Sequence, residues 1–177
     1  MATIPGLDEC FLQRNDGLVL LAGPAREALR PLLWDAASNA CESLFFIGPL
    51  TDKPVPSGPA RPSLLERPLE DRVSGVKHVL RMDAHGIQTI GDATPDLLVM
   101  LTEAALSGSL CIAEVDASGR EGALAALLAA VTDRQSAASA LVAIVEGPAD
   151  APQVWFPSDT ARQAISEGAA AAAVLAA

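Results

Sequence analysis

The fold is decided by one stretch, which reads Asp16-Gly-Leu-Val-Leu-Leu-Ala-Gly-Pro-Ala-Arg-Glu-Ala-Leu-Arg-Pro31. Its continuous apolar run, Leu18 to Ala22, predicts a strand buried on both faces, as in a parallel sheet. The chain then turns through Gly23-Pro24 and enters a helix. A strand, loop and helix in this order bind phosphate in many α/β proteins when the loop reads G-x-x-x-x-G-K-[ST]. The stretch therefore predicts an α/β fold with a candidate nucleotide site beginning at Gly23.

This loop keeps the frame of a phosphate-binding loop but lacks its chemistry. Gly23 is in place, whereas Ala28 stands at the second glycine, Leu29 at the lysine and Arg30 at the Ser/Thr. The missing lysine would neutralise phosphate charge and the missing hydroxyl would bind Mg²⁺. Because proline suits the first helical turn and disfavours helix at the residue before it, the helix is predicted to begin near Pro31. A phosphate-binding helix would begin earlier, with its free N–H groups aimed into the loop.

The bulk composition restricts the class of protein. A chain of 177 residues, half of them hydrophobic, suits a single domain covering residues 1–177. The net charge of −10 disfavours a nucleic-acid partner, because phosphate contacts need clustered Lys and Arg. Three cysteines without paired spacing give no disulfide framework or zinc site, and Cys41 and Cys111 are expected to be core residues. No signal sequence or membrane span is apparent, so the expected location is the cytoplasm.

Strands alternate with helices along the rest of the chain, which predicts a mostly parallel sheet with helices on both faces. Further strands are predicted at residues 43–47, 86–90, 110–115 and 152–156. Helices are predicted at residues 6–14, 31–40, 70–81, 95–107, 121–131 and 134–145. A last helix is predicted to begin after Ser158 and to run into the alanines at 169–173. The proline-rich residues 50–68 predict an extended, mobile surface loop within the domain.

Several segments, in this order, carry a resemblance. Asn15 to Pro24 leads into the loop, and Phe46-Ile-Gly-Pro-Leu50 follows the next strand. Leu80-Arg-Met-Asp-Ala-His85 precedes Ile90-Gly-Asp-Ala-Thr-Pro95, and Ala104-Ala-Leu-Ser-Gly-Ser-Leu110 comes after them. The set resembles the C-terminal motor domain of the type II secretion and type IV pilus assembly ATPases. It matches that family's Walker A lead-in, acidic box, Leu-Arg-x-Asp-Pro-Asp stretch, Walker B end and Ala-Ala-x-Thr-Gly-His-Leu helix end. The resemblance implies a RecA-like P-loop NTPase fold.

The same resemblance implies that catalysis has been lost. Ile47 and Gly48 stand at the two acids of the acidic box, and Asp116 stands at the histidine of the His box. Asp92 is the one acid that remains near Walker B. Ala138 to Val145 resembles the helix before the family's Gln-Arg-Leu motif. We therefore expect a pseudo-ATPase, with no catalytic residue, no metal site and no required cofactor, ATP or ADP being possible but not expected.

Two functions are compatible with this pattern. The first is a protein-binding, assembly or regulatory component of a secretion or pilus apparatus, with an active motor ATPase or another cytoplasmic component as partner. The apolar C-terminal helix is then a candidate contact surface, and a homo-oligomer is possible. The second is a regulatory domain that binds a nucleotide or anion without hydrolysing it. An unrelated α/β enzyme is a weaker third reading, since no nucleophile-elbow, Rossmann or metal motif is present.

If the cleft that binds nucleotide in this family retains a ligand here, we expect Gly23, Arg26, Arg30 and Asp92 to contact it. The charged residues among them could instead have purely structural roles. The two arginines could be solvated residues at the start of the helix, and Asp92 could be a turn or capping residue before the next helix. Glu114 and Asp116 alternate at a strand end, as a carboxylate pair or as a solvated terminus. His78 and His85 are expected to be surface residues without a metal.

Overall fold

The computed structural model describes residue 4, residues 6–49 and residues 63–177. The described residues form one seven-stranded sheet in the order β3-β2-β4-β5-β1-β6-β7. Its strands are β1 (Gly17–Leu21), β2 (Leu44–Gly48), β3 (Ser63–Glu66), β4 (Gly86–Asp92), β5 (Leu110–Glu114), β6 (Leu141–Glu146) and β7 (Gln153–Trp155). All neighbouring strands are parallel except β6 and β7, which are antiparallel. The predicted mostly parallel sheet is confirmed.

Helices cover both faces of this sheet, as predicted. They are α1 (Leu7–Gln13), α2 (Arg26–Ala40), α3 (Arg72–Leu80), α4 (Pro95–Leu106), α5 (Arg120–Ala130), α6 (Arg134–Ala140), α7 (Asp159–Ser166) and α8 (Ala171–Leu175). A short 3-10 helix, Leu69–Asp71, precedes α3. The buried side chains of α1 and α2 pack with one face of the sheet, and those of α3 to α8 pack with the other. Strand β1 lies between β5 and β6, where all five of its residues are buried.

One predicted helix is partly wrong. Residues 134–145 were expected to be helical throughout, but α6 ends at Ala140 and Leu141–Glu146 form β6 beside β1. This strand is buried along almost its whole length, so its apolar residues do not alternate and cannot be distinguished from a buried helix by period alone. Its β-branched residues Val142, Ile144 and Val145 favour a pleated strand. Pairing with β1 decides the conformation.

The proline-rich segment is also corrected at its end. Residues 50–68 were predicted to form a loop, but Ser63–Glu66 form β3, a parallel edge strand paired with β2. The prediction for residues 50–62 lies outside the described residues. Pro68 follows the strand and does not interrupt its hydrogen bonds, which is compatible with an edge position.

The C-terminal region consists of two helices where one was predicted. Ser158 caps α7 as expected, since its hydroxyl accepts a hydrogen bond from the Ala161 N–H at 3.0 Å. The helix ends at Ser166, and Gly168 takes a left-handed backbone with φ of +85°. Glycine adopts this conformation without steric cost, so it terminates the helix before the alanine tract. Helix α8 then begins at Ala171.

The cysteines are expected to react slowly in the folded protein. Burial raises the pKa of Cys41 to about 11, and burial also raises the pKa values of Cys111 and of the half-buried Cys10. The thiolate is the reactive form, so at pH 8 we expect only Cys10 to be labelled by a disulfide reagent, and slowly. All three thiols should react in denaturant. The variant Cys10→Ser should lose the labelling of the native state, and fast labelling of a second thiol would contradict the buried positions.

Gln88 is expected to destabilise the domain. It lies fully buried on β4, and neither its amide nitrogen nor its amide oxygen has a hydrogen-bond partner among the described residues. A buried polar group without a partner costs roughly 1–3 kcal/mol. Gln88→Leu should therefore raise the free energy of unfolding by about 1 kcal/mol, and the melting temperature by about 3 °C. Gln135→Leu, at an exposed position, is the matched control, and a fall in stability of Gln88→Leu would show that the amide is satisfied.

Candidate functional site

The four predicted cleft residues lie at the carboxyl edge of the sheet. Gly23 follows β1, Asp92 ends β4, and Arg26 and Arg30 lie in the first two turns of α2. Ligands of open α/β sheets bind at this edge, outside the carboxyl ends of parallel strands. The structure thus brings all four residues to one region, and it adds Glu114 at the end of β5.

Helix α2 begins at Arg26, so the predicted start near Pro31 is wrong. Pro31 lies inside the helix, where it removes one backbone hydrogen bond. The neighbouring residues offset this cost, because Leu29 is fully buried and Arg30 forms a buried ion pair. Tertiary contacts at Leu29 and Arg30 therefore hold helical geometry on the N-terminal side of the proline.

Three backbone donors in and just after the loop are used within the protein. The Gly23 N–H donates to the Ala117 carbonyl at 2.9 Å. The Ala28 and Leu29 N–H groups both donate to the Ala25 carbonyl, at 2.9 and 3.2 Å. A phosphate-binding loop instead aims such groups at phosphate oxygens. Here the corresponding residues form the first turn of a helix, and these three N–H groups point at carbonyls.

The centre of the site is a buried ion pair between Arg30 and Glu114. The guanidinium donates from Nε to Glu114 Oε1 at 2.5 Å and from Nη2 to Glu114 Oε2 at 2.9 Å. Oε2 also accepts a hydrogen bond from the Gly91 N–H at 3.2 Å. Glu114 is 1% exposed and Arg30 is 8% exposed. The reading of Arg30 as a solvated helix-start residue, and of Glu114 as part of a solvated strand end, is therefore wrong.

Arg26 forms a second, more exposed ion pair at the mouth of the cleft. Its Nη2 lies 2.7 Å from Asp92 Oδ1 and 3.7 Å from Asp116 Oδ1. The capping reading of Asp92 is wrong, because Thr94 caps α4 by accepting a hydrogen bond from the Leu97 N–H. Asp116 is a solvated strand-end residue, with 82% of its side chain exposed.

Arg72 is a buried residue of the site that the sequence did not indicate. Its guanidinium donates to four carbonyls, those of Leu69, Ile90, Gly91 and Asp92, at 2.9, 2.6, 2.5 and 2.5 Å. Burial lowers the pKa of Arg72, and the nearby carboxylates of Glu114 and Asp92 oppose this effect. Arg72, the first residue of α3, thereby holds the end of β4 against the start of that helix.

The arginines around this edge lie beside carboxylates. Arg26 is paired with Asp92 and Asp116, Arg30 with Glu114, and Arg120 with Glu146, while the charges of Glu114 and Asp92 act on Arg72. What remains open is a shallow depression of about 500 Å³ lined by Gly23, Pro24, Arg26, Asp116, Ala117 and Ser118. An incoming polyphosphate would meet no uncompensated cluster of positive charge in this depression.

Other predicted features lie away from this edge. Within the described part of the chain, no group of three His, Cys, Asp or Glu side chains could hold a metal ion. His78 is exposed and His85 is partly exposed. No helix among residues 6–49 and 63–177 is long and apolar enough to span a membrane.

Comparison with solved structures places this arrangement in a known fold. The chain is similar to the Legionella pneumophila ATPase DotB, with a TM-score of 0.67 and 12% identity over 99% of this chain and 54% of that one. It is similar to the pilus retraction motor PilT with bound ADP, with a TM-score of 0.71 and 14% identity over 93% of this chain and 54% of that one. It is also similar to the Yersinia pseudotuberculosis ATPase DotB, with a TM-score of 0.63 and 13% identity over 92% of this chain and 49% of that one.

These likenesses confirm the predicted fold. The chain spans about half the length of the solved structures that it matches. No family model matches the sequence, and no curated protein matches it. The predicted resemblance to secretion and pilus motor ATPases is thus confirmed at the level of the fold.

Proposed function

We propose that this chain is a catalytically inactive domain of the secretion and pilus ATPase type that acts by binding another protein. The observation that carries the proposal is the buried Arg30–Glu114 ion pair. Arg30 stands at the loop position where the motif requires Ser or Thr to bind Mg²⁺, and its charge would repel that cation. The ATPase fold of the similar structures supports the family relationship.

The electrostatics of the cleft argue against nucleotide hydrolysis. Phosphoryl transfer depends on neutralising the charge of the phosphates. At this edge Leu29 supplies no cation, and Arg26 and Arg30 are already paired with carboxylates. A phosphate oxygen about 4 Å from Asp92 or Asp116 would be repelled by about 4 kcal/mol per pair of unit charges at an effective dielectric constant of 20.

The proposed partner is an active motor ATPase or another cytoplasmic component of a secretion or pilus machine. The C-terminal helix is a poor candidate for the contact surface, because Ala171 and Val174 of α8 are buried against the rest of the domain. Larger apolar side chains are exposed elsewhere, including Leu12 on α1 and Leu106 on α4. These positions are the first to test by substitution when a complex has been found.

The proposal is tested by nucleotide and partner binding on the same preparation. We expect no ATP turnover above the buffer rate and no change in melting temperature with Mg-ATP or Mg-ADP. We also expect a stoichiometric complex with the purified motor ATPase of the same host in analytical ultracentrifugation. Robust hydrolysis would overturn the inactive assignment, and the absence of a complex with every component of the machine would overturn the binding role.

The second candidate function is a regulatory site for an anion or nucleotide. It is favoured by one observation, the partly exposed Arg26 guanidinium beside Gly23 in the open depression. A ligand that binds only the folded state raises the apparent stability. If Mg-ADP raises the melting temperature by several degrees and Arg26→Gln abolishes the shift, this reading replaces the first.

A further inference from the structure

We propose that the Glu114 carboxylate is a built-in ligand, which fills an anion site formed by the Arg30 guanidinium and the Gly91 N–H. Three donors converge on its two oxygens, namely Arg30 Nε, Arg30 Nη2 and the Gly91 amide. A planar guanidinium that binds both oxygens of a carboxylate is a strong and geometrically specific arrangement. The chain therefore supplies its own anion at the edge where α/β domains bind phosphate.

The position of this carboxylate gives it a mechanical role. Glu114 ends β5, Gly91 lies near the end of β4, and Arg30 lies in the second turn of α2. The three residues are distant in sequence, since Arg30 and Glu114 are separated by 84 positions. The Glu114 carboxylate thus ties the helix that follows the loop to two neighbouring strands.

The surroundings make this carboxylate difficult to replace by solvent. Glu114 is 1% exposed, and the Arg72 guanidinium lies close enough for its pKa to be raised by the Glu114 charge. Removing the carboxylate would take the bidentate partner from the buried Arg30 guanidinium and leave an emptied volume beside it. Loss of the carboxylate that pairs with a buried cation is strongly destabilising, so this volume should attract a small anion from solution.

It follows that the domain holds α2 against the sheet without any nucleotide. The inference goes beyond the proposed function, because it concerns how the site is filled and does not depend on a partner. Nucleotide binding by the wild-type protein would contradict the proposed function. The role of the Glu114 carboxylate is decided separately, by the effect of formate on Glu114→Ala.

The test is chemical rescue by formate, measured as the melting temperature. Breaking a buried ion pair is strongly destabilising, so Glu114→Ala should lower the melting temperature by about 10 °C. Sodium formate at about 100 mM should raise it again by several degrees in a saturable manner, since it binds only the folded state. Sodium chloride at the same ionic strength should not.

Three further variants sharpen the result. Glu114→Gln fills the volume and should show no rescue by formate. Arg30→Met combined with Glu114→Ala removes the main donor and should also show none. Glu146→Ala is the matched control, because Glu146 pairs with Arg120 in a more exposed setting and its loss leaves no buried anion site.

The outcomes are decisive in either direction. Rescue of Glu114→Ala by formate but not by chloride, with no rescue of the other three variants, supports the built-in ligand. Equal effects of formate and chloride on Glu114→Ala would overturn it. If Glu114→Ala does not fold in buffer, the yield of refolding from denaturant is compared in the two salts, and an equal yield would overturn the inference in the same way.

Discussion

Leu29→Lys is expected to destabilise the domain strongly instead of creating a phosphate-binding loop. The substitution recreates the lysine of the motif, but the Leu29 side chain is fully buried with Leu33 and Trp34 between α2 and the sheet. The new ammonium would lie in that apolar cluster, away from the open depression. Loss of apolar burial and burial of a charge should together cost about 4 kcal/mol or more, a fall of about 10 °C in the melting temperature.

Two neighbouring substitutions serve as controls for this result. Leu29→Met keeps the volume and polarity of the site and should cost less than about 1.5 kcal/mol. Ala28→Lys adds the same charge one residue earlier at an exposed position, and should change stability by no more than about 0.5 kcal/mol. If Leu29→Lys instead keeps its melting temperature and gains stabilisation by Mg-ADP, the loop has rearranged and the buried position of residue 29 is not fixed.

The departure from the phosphate-binding motif therefore extends to the packing around it. Arg26, Ala28 and Leu29 form part of the first turn of a helix, and Leu29 is a core residue. A single substitution toward the motif meets packing and hydrogen bonding that fit the present sequence. We expect a phosphate-binding loop at this position to require coordinated changes at residues 26–30 and at Glu114.

The parts of the fold that could be predicted from the sequence are those decided by local patterns. The buried run of β1, with glycines on both sides, and the cap formed by Ser158 before α7 are visible in short windows. The parts that could not be predicted are decided by distant partners. Strand β6 takes its conformation from pairing with β1, more than 100 positions away, and β3 from pairing with β2.

The same distinction applies to the site. The motif frame indicated Gly23, Arg26, Arg30 and Asp92, and the structure brings these residues to one edge of the sheet. The motif did not indicate that Arg30 would be buried. The carboxylate that compensates the cost of burying its charge belongs to Glu114, which is distant in sequence on β5. The only sequence signal for Glu114 was a charged residue at the end of an apolar strand. Many strands that end in solvent show the same pattern, so it could not indicate a buried ion pair.

Arg72→Met is expected to cost about 4 kcal/mol, because it removes the donors that bind the carbonyls at the end of β4. Four carbonyls accept hydrogen bonds from this guanidinium, three of them in the consecutive residues Ile90, Gly91 and Asp92. Each buried acceptor left without a donor costs roughly 1–3 kcal/mol, partly recovered where water can enter. Thermal and urea unfolding followed by circular dichroism measure the loss.

Substitutions at two positions separate this mechanism from a loss of charge alone. Arg72→Lys keeps the charge but lacks the planar fork, so it should recover less than half of the lost stability. Arg81→Met changes an exposed arginine just after α3 and should stay within about 0.5 kcal/mol of the wild type. Full stability of Arg72→Lys would show that charge, and not the fork geometry, holds the end of β4.

Arg72 and Glu114 should also prove to be coupled. Arg72 binds the Gly91 carbonyl, whereas Glu114 binds the Gly91 N–H, so both hold the same residue of β4. Once one of them is lost, the end of β4 is free to move and the other contributes less. The free energy lost in the double variant Arg72→Met/Glu114→Ala should therefore be smaller than the sum of the two single losses by about 1 kcal/mol or more. An additive result would mean that the two residues stabilise separate parts of the edge, and that the cleft is not held as one unit.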